Sequence, residues 1–127
     1  MRWLRRTLGL APAAFVALVV LLTRLRPVTR YVVEGPSMEP AYHAGDRVLV
    51  NRLAYIGRTP EPGDVVVLRD PERDGHLLLK RVATAPEPVP GPSHIYVLGD
   101  NAGMSRDSRS FGPVDRRLIV GKAWLRY

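Results

Sequence analysis

The chain contains no cysteine. That absence excludes a disulfide framework, thiolate metal ligands and a cysteine nucleophile, and it is compatible with either side of a membrane. Histidine is scarce: His43, His76 and His94 lie scattered, with no metal-ligand spacing between them. No metal site and no cofactor are expected, and none of the three has a context that marks it as a catalytic base. Lysine is scarcer still, because Lys80 and Lys122 are the only two lysines among nineteen basic residues. Acidic residues are missing from positions 1 to 26. After residue 30 no stretch keeps a long apolar period of 3.6, which argues against a helical domain. No internal repeat is visible.

What is present fits one domain with one modest core in 127 residues. A net charge of +7 raises the expectation of a nucleic-acid partner, but the distribution of that charge opposes it. Arg2, Arg5, Arg6, Arg24 and Arg26 supply most of the excess, while the remaining residues hold fourteen basic and twelve acidic side chains. The early arginines flank "TLGLAPAAFVALVVLLT", an uncharged run from Thr7 to Thr23. As a helix it would span about 25 Å, slightly short of a hydrocarbon core of about 30 Å, and snorkelling arginines could make up the difference. The small residues of a signal-peptide cleavage site should follow such a run, yet "TRLRPVTR" does. The segment therefore reads as an uncleaved signal anchor in a lipid bilayer. Three arginines precede it and three follow, so charge only weakly favours an inside N-terminus.

Beyond Pro27 the pattern changes to short runs rich in Val, Leu, Ile and Tyr: "RYVVEG", "DRVLVNRLAY", "DVVVLRD", "HLLLKRVA", "HIYVLGD" and "LIVGKAWLRY". Gly-Asp, Pro-Gly and Asp-Pro pairs punctuate them. "TAPEPVPGPSH", residues 84 to 94, reads as a stiff exposed loop. The expected organisation is an anchor over residues 1 to 26 and a small, mainly β domain over residues 27 to 127.

Three segments could carry chemistry. Ser37 lies in "VVEGPSMEPAYHAGD", where Gly35, Pro36 and Pro40 fix the backbone around one hydroxyl. A serine nucleophile needs a base, and arginine cannot be one near neutrality. Lys80 can, provided that burial lowers its pKa from about 10.4, and it follows "HLLL" on a strand-like run. The third segment, "GDNAGMSRDSRSFG", crowds Asn101, Ser105, Asp107, Ser108 and Arg109 into one polar loop. Taken singly, each has an ordinary alternative: a turn serine, an edge-strand lysine with a solvated head group, and a hydrogen-bonded surface turn.

In this order, "GPSMEP", "GDRVLVNRLAY", "LLLKRVA" and "GDNAGMSRDSR" resemble the motif set of the type I signal peptidases, over most of the chain from Tyr31 to Tyr127. The resemblance implies a membrane-anchored serine endopeptidase with a serine-lysine dyad. It makes Ser37 the nucleophile, Lys80 the general base, Ser105 the hydroxyl that orients the lysine, and Asp107 and Arg109 a structural brace. It implies substrates that are exported precursors bearing signal peptides, cut after small residues of the Ala-x-Ala kind. Val33, Met38, Tyr42, Leu78 and Leu79 match pocket-lining positions, with core packing as their alternative role. Some family members place a serine hydroxyl two positions before the nucleophile as an oxyanion donor, and here that position is Gly35. The catalytic domain would lie on the exporting side of a single-pass cell-membrane anchor, with association with the secretion machinery left open.

Three departures bear on substrate range. Ala41 stands where the family usually has threonine, and "TAPEPVP" replaces the Gly- and Asp-bearing turn common after the lysine segment. Only eighteen residues separate Lys80 from Gly99, too few for the large β insertion of many members. A processing protease devoted to one precursor, or a catalytically silent membrane-tethered β binding domain, are the alternatives. A self-cleaving repressor of the same serine-lysine clan would call for a DNA-binding module, and residues 1 to 26 do not resemble one.

Overall fold

A computed structural model describes residues 10–127. It contains a helix α1 (Leu10–Leu25) and seven strands: β1 (Val28–Val32), β2 (Arg47–Asn51), β3 (Val65–Arg69), β4 (Leu77–Ala83), β5 (His94–Leu98), β6 (Val114–Asp115) and β7 (Ile119–Arg126). A short helix α2 (Ser108–Phe111) precedes β6. The mainly β expectation holds, and each of the six apolar runs supplies one strand. The two-residue β6 is additional.

The strands form one antiparallel sheet in the order β1-β2-β7-β3-β4-β5-β6. The last long strand inserts between β2 and β3, so the chain's end closes the middle of the sheet. Gly121 makes that insertion sterically possible. A Cβ there would lie 2.4 Å from the Asn51 carbonyl oxygen and 2.9 Å from Val50 Cγ1, so β7 could not approach β2 this closely with any other residue.

Central position explains why β3 is apolar almost throughout. Side chains alternate between faces along a strand, and β3 buries both sets. Val65 and Val67 join Val33, Met38, Val48, Val50 and Leu79 on one side, while Val66 and Leu68 join Val82, Ile95, Val97 and Val114 on the other. Burying each valine or leucine contributes about 1.5–3 kcal/mol, which the short strands need because none is stable alone.

The expected anchor covers residues 1 to 26, of which residues 1 to 9 lie outside the described part. From Leu10 its sequence is helical, and the side chains of residues 11 to 24 are exposed. Among the described residues no helix is long and apolar enough to cross a membrane. The helix ends where Arg26 takes a left-handed conformation (φ 44°) and Pro27 follows, a combination that cannot continue the helix.

Candidate active site

Ser37 sits in a turn within the long connection between β1 and β2. Gly35, with φ 71°, turns the chain, and the Pro36 carbonyl accepts the Glu39 N–H at 3.1 Å. The next residue, Met38, is fully buried in the core and pins the turn from below. From outside, Asn101 clamps it: the Asn101 N–H donates to the Ser37 carbonyl at 2.9 Å and its amide group to the Pro36 carbonyl at 3.1 Å. Ser37 itself is only partly exposed.

Lys80 lies in the middle of β4, opposite Val66 and on the same face as Leu78 and Val82 by strand alternation. It is 3% exposed. Its amine donates to Ser105 Oγ at 3.2 Å, and Ser105 Oγ donates in turn to Asp107 Oδ2 at 2.8 Å. The direction of this relay matters. Because the Ser105 hydroxyl donates its hydrogen to Asp107, the serine oxygen is committed as an acceptor toward the lysine. A neutral amine held by one N–H keeps its lone pair free for another donor.

Asp107 is completely buried and saturated. It accepts from the Gly99 N–H at 2.9 Å and from Arg109 through its N–H at 3.1 Å, Nε at 3.0 Å and Nη2 at 2.6 Å. Burial works to raise its pKa, but the hydrogen bonds from Arg109, Gly99 and Ser105 outweigh it and hold the carboxyl well below the usual carboxylate range. For Lys80, burial pushes the amine down and is the largest influence. Asp107 pulls it back up, and the Arg106 and Arg109 guanidiniums push it down again, so the net shift is downward.

Gly99 is where the two loops meet. A Cβ at this position would stand 2.0 Å from Ser105 Oγ and 2.7 Å from the Ser37 carbonyl oxygen. The first Gly of "GDN" is therefore demanded by packing, and its neighbour Asp100 holds Arg81 through two 2.9 Å contacts.

Ser37, Lys80, Val33, Leu78 and Leu79 line one cleft of about 140 Å³. Met38 is core and Tyr42 packs against the core, and neither lines the cleft. Gly35 is exposed and lines no part of it. Among the described residues no hydrogen bond joins Ser37 Oγ to Lys80 Nζ. The cleft also contains residues that the sequence reading passed over: Tyr31, whose hydroxyl is pushed up to about 12 by burial and then by Glu34, together with Asp70 and Arg106. Asn101 had a place in the polar loop but no role. Its contact with a turn 64 residues earlier in the chain carries no local signal.

Comparison with known proteins places the chain among relatives along most of its length. The family model for signal peptidase, peptidase S26, matches residues 5–89 and 83–127. The chain is 34% identical to the mitochondrial ATP-independent inner membrane protease subunit 1a of Arabidopsis thaliana, over 98% of this chain and 89% of that protein. It is 36% identical to subunit 1b from the same plant over 72% of this chain, and there it spans 65% of the relative's length. With signal peptidase I of Bacillus caldolyticus the identity is 31%, over 89% of this chain and 87% of the relative.

Proposed function

Since the chain belongs to the signal peptidase family, peptidase S26, and to the serine peptidases by that membership, we propose that it is a membrane-bound endopeptidase that uses Ser37 and Lys80 to remove signal peptides from exported precursors. The observation that carries this reading is the buried Lys80 amine, hydrogen-bonded to Ser105 and sharing a cleft with Ser37. Residues 1 to 26 serve as the anchor and residues 27 to 127 as the catalytic domain, on the exporting side of the membrane. The name of one relative, a mitochondrial inner membrane protease, supports the membrane setting.

In this mechanism the neutral Lys80 amine takes the Ser37 proton as the hydroxyl oxygen attacks the peptide carbonyl carbon. The carbonyl π electrons move to oxygen, and the tetrahedral oxyanion needs donors already in place. The Ser37 N–H is the natural one. The lysine ammonium then gives its proton to the leaving amine as the C–N bond breaks, leaving an acyl-serine and a neutral lysine. A water molecule, deprotonated by the same lysine, attacks the ester, and Ser37 recovers its proton when the carboxyl product leaves. The relay through Ser105 and Asp107 aims the amine throughout.

The apolar walls supplied by Val33, Leu78 and Leu79 favour a methyl-sized side chain beside the scissile bond, which is the basis for cleavage after small residues. A protease devoted to one precursor uses the same chemistry, and the short connection from Lys80 to Gly99 favours that narrower substrate range. The test is incubation of the detergent-solubilised chain with a precursor carrying Ala-x-Ala. Cleavage after the second alanine, lost in Ser37→Ala and in Lys80→Ala, is the expected result. Cleavage that survives in either variant removes the dyad, and no cleavage by the parent chain leaves a silent binding domain.

A further inference from the structure

Arg106 stands between Ser105 and Asp107 in sequence, yet its side chain leaves the relay and crosses to the turn between β3 and β4. There it pairs with Asp70 and, at 2.8 Å, with Glu72. Asp70 is no ordinary surface acid. Its side chain is 1% exposed, and it organises the turn by accepting the Glu72 N–H at 2.9 Å while its own N–H donates to the His76 carbonyl at 2.9 Å. A buried carboxylate needs a charge partner, and Arg106 is that partner. The guanidinium is further located by the Phe111 ring, 5.7 Å from its centroid. Both Asp70 and Arg106 line the cleft that holds Ser37 and Lys80.

We infer that Arg106 is a positioning residue: its guanidinium ties the β3–β4 turn to the Ser105 loop and supplies a cation beside the Lys80 amine in addition to Arg109. This inference rests on the dyad reading above. The relay needs Asp107 as an anion next to a lysine that must be neutral to act, so an anion that orients the base also favours its charged form. Arg109 offsets Asp107, and Arg106 offsets Asp70, which would otherwise be a second buried anion acting on the same amine. Of the other charged or titratable groups on the cleft wall, Tyr31 comes from β1, Glu34 from the loop that follows it, and Arg73 and His76 from the turn. Among the described residues Arg73, His76 and Glu34 form no ion pair, and none of them is among the main influences on the lysine.

Because the chain has only two lysines, the amine can be read without reference to catalysis. Lysine labelled with 13C and 15N in the full chain, in detergent micelles, gives two side-chain signals, and Lys122→Arg assigns them. Arg106→Gln is expected to raise the Lys80 titration midpoint by about 0.5–1 pH unit, the size of one lost nearby charge at high effective dielectric. Asp70→Asn is expected to lower it, and Arg106→Lys to leave it near the parent value. Where Arg106→Gln folds poorly, the double variant Arg106→Gln, Asp70→Asn removes the orphaned anion and is expected to bring the midpoint back toward the parent. Opposite shifts from the two halves of one ion pair are what a charge role demands. Shifts of the same sign, or an unmoved midpoint with activity lost equally at every pH, overturn the inference. Cleavage of the Ala-x-Ala precursor then separates the two readings. Its acid limb is expected to follow the midpoint, a loss of about three- to tenfold below the limb in Arg106→Gln. Midpoints that move while the limb stays fixed uphold the role of Arg106 and remove Lys80 as the base.

Discussion

Gly99→Ala adds one methyl group at the seam between the nucleophile turn and the lysine-orienting loop. The added carbon would meet Ser105 Oγ at 2.0 Å, Ser105 Cβ at 2.5 Å and the Ser37 carbonyl oxygen at 2.7 Å. None of these is the far end of a flexible side chain: one is backbone and the others belong to a short serine. The loops must therefore separate by the better part of an ångström. Overpacking of this kind costs about 1–3 kcal/mol, and the completely buried Asp107, which accepts the Gly99 N–H, pushes the cost toward the upper end. The catalytic penalty should be larger than the stability penalty, since a shift of about 1 Å in a reacting group costs about 100-fold in rate. The control is Gly103→Ala in the same loop, where a Cβ meets nothing within 4 Å. Denaturant melts and kcat/KM on an Ala-x-Ala precursor should separate the pair, with Gly103→Ala within twofold of the parent and Gly99→Ala down by about 100-fold. Parent-like turnover in Gly99→Ala would refute the claim that this contact sets the distance between the two loops.

Three further outcomes follow from the same geometry. Lys80→Arg is expected to abolish cleavage at every pH up to 10, because a guanidinium stays charged below about 12; residual activity on a pH-rate curve would argue for another base. Lys80→Met should abolish cleavage yet raise thermodynamic stability by about 1 kcal/mol, the usual gain when a strained active-site group is relieved. The sign follows from the lowered folded pKa: near neutrality the unfolded lysine is charged and folding must work against that protonation, a cost that methionine removes. Asp107→Asn should lose about 1–3 kcal/mol at pH 7, the cost of weakening the buried acceptor that the Gly99 N–H and the Ser105 hydroxyl rely on. Since the folded Asp107 pKa is lowered, its contribution is fully present above about pH 4 and disappears as pH falls through the folded value, so urea melts of parent and variant should converge in acid.

Strand existence was legible because it is written locally. Alternating or continuous apolar runs bounded by Gly-Asp and Pro-Gly pairs each produced a strand, and the doubly buried β3 showed itself as an unbroken "VVVL". Strand order was not legible, since the insertion of β7 between β2 and β3 depends on contacts such as Gly121 against Asn51, which are far apart in sequence. The same division runs through the site. Lys80 among aliphatic neighbours and the Ser105–Arg109 cluster were readable as local composition, and the structure brings Lys80, Ser105 and Asp107 into one relay. Asp70 and Arg106 were not readable, because an aspartate before a proline looks like a turn residue and an arginine among polar neighbours looks solvated. Only their meeting across 36 residues makes either of them part of the cleft. Met38 and Tyr42 sit beside the serine in sequence but turn into the core, since a turn pinned from below must spend its large side chains on packing.

A lysine base is subject to two opposed demands, and the fold separates them in space. Neutrality requires removing water from the amine, which the sheet achieves by seating Lys80 on β4 between Leu78 and Val82 and opposite Val66. Orientation requires a polar partner, and a charged partner would reverse the effect of burial. Placing a carboxylate directly on the amine would favour the ammonium form by the same short-range attraction that makes ion pairs. Ser105 resolves this by standing between them. Its hydroxyl presents only an oxygen to the lysine while the proton faces Asp107, and Arg109 pairs with that carboxylate from the other side. The relay therefore transmits direction while keeping the carboxylate one residue away from the amine, and burial still outweighs the upward pull of Asp107. That is also why Ser105→Ala and Ser105→Asp should fail for different reasons: the first leaves the amine unaimed at every pH, while the second aims it but keeps it protonated, so only the second should recover turnover as pH rises.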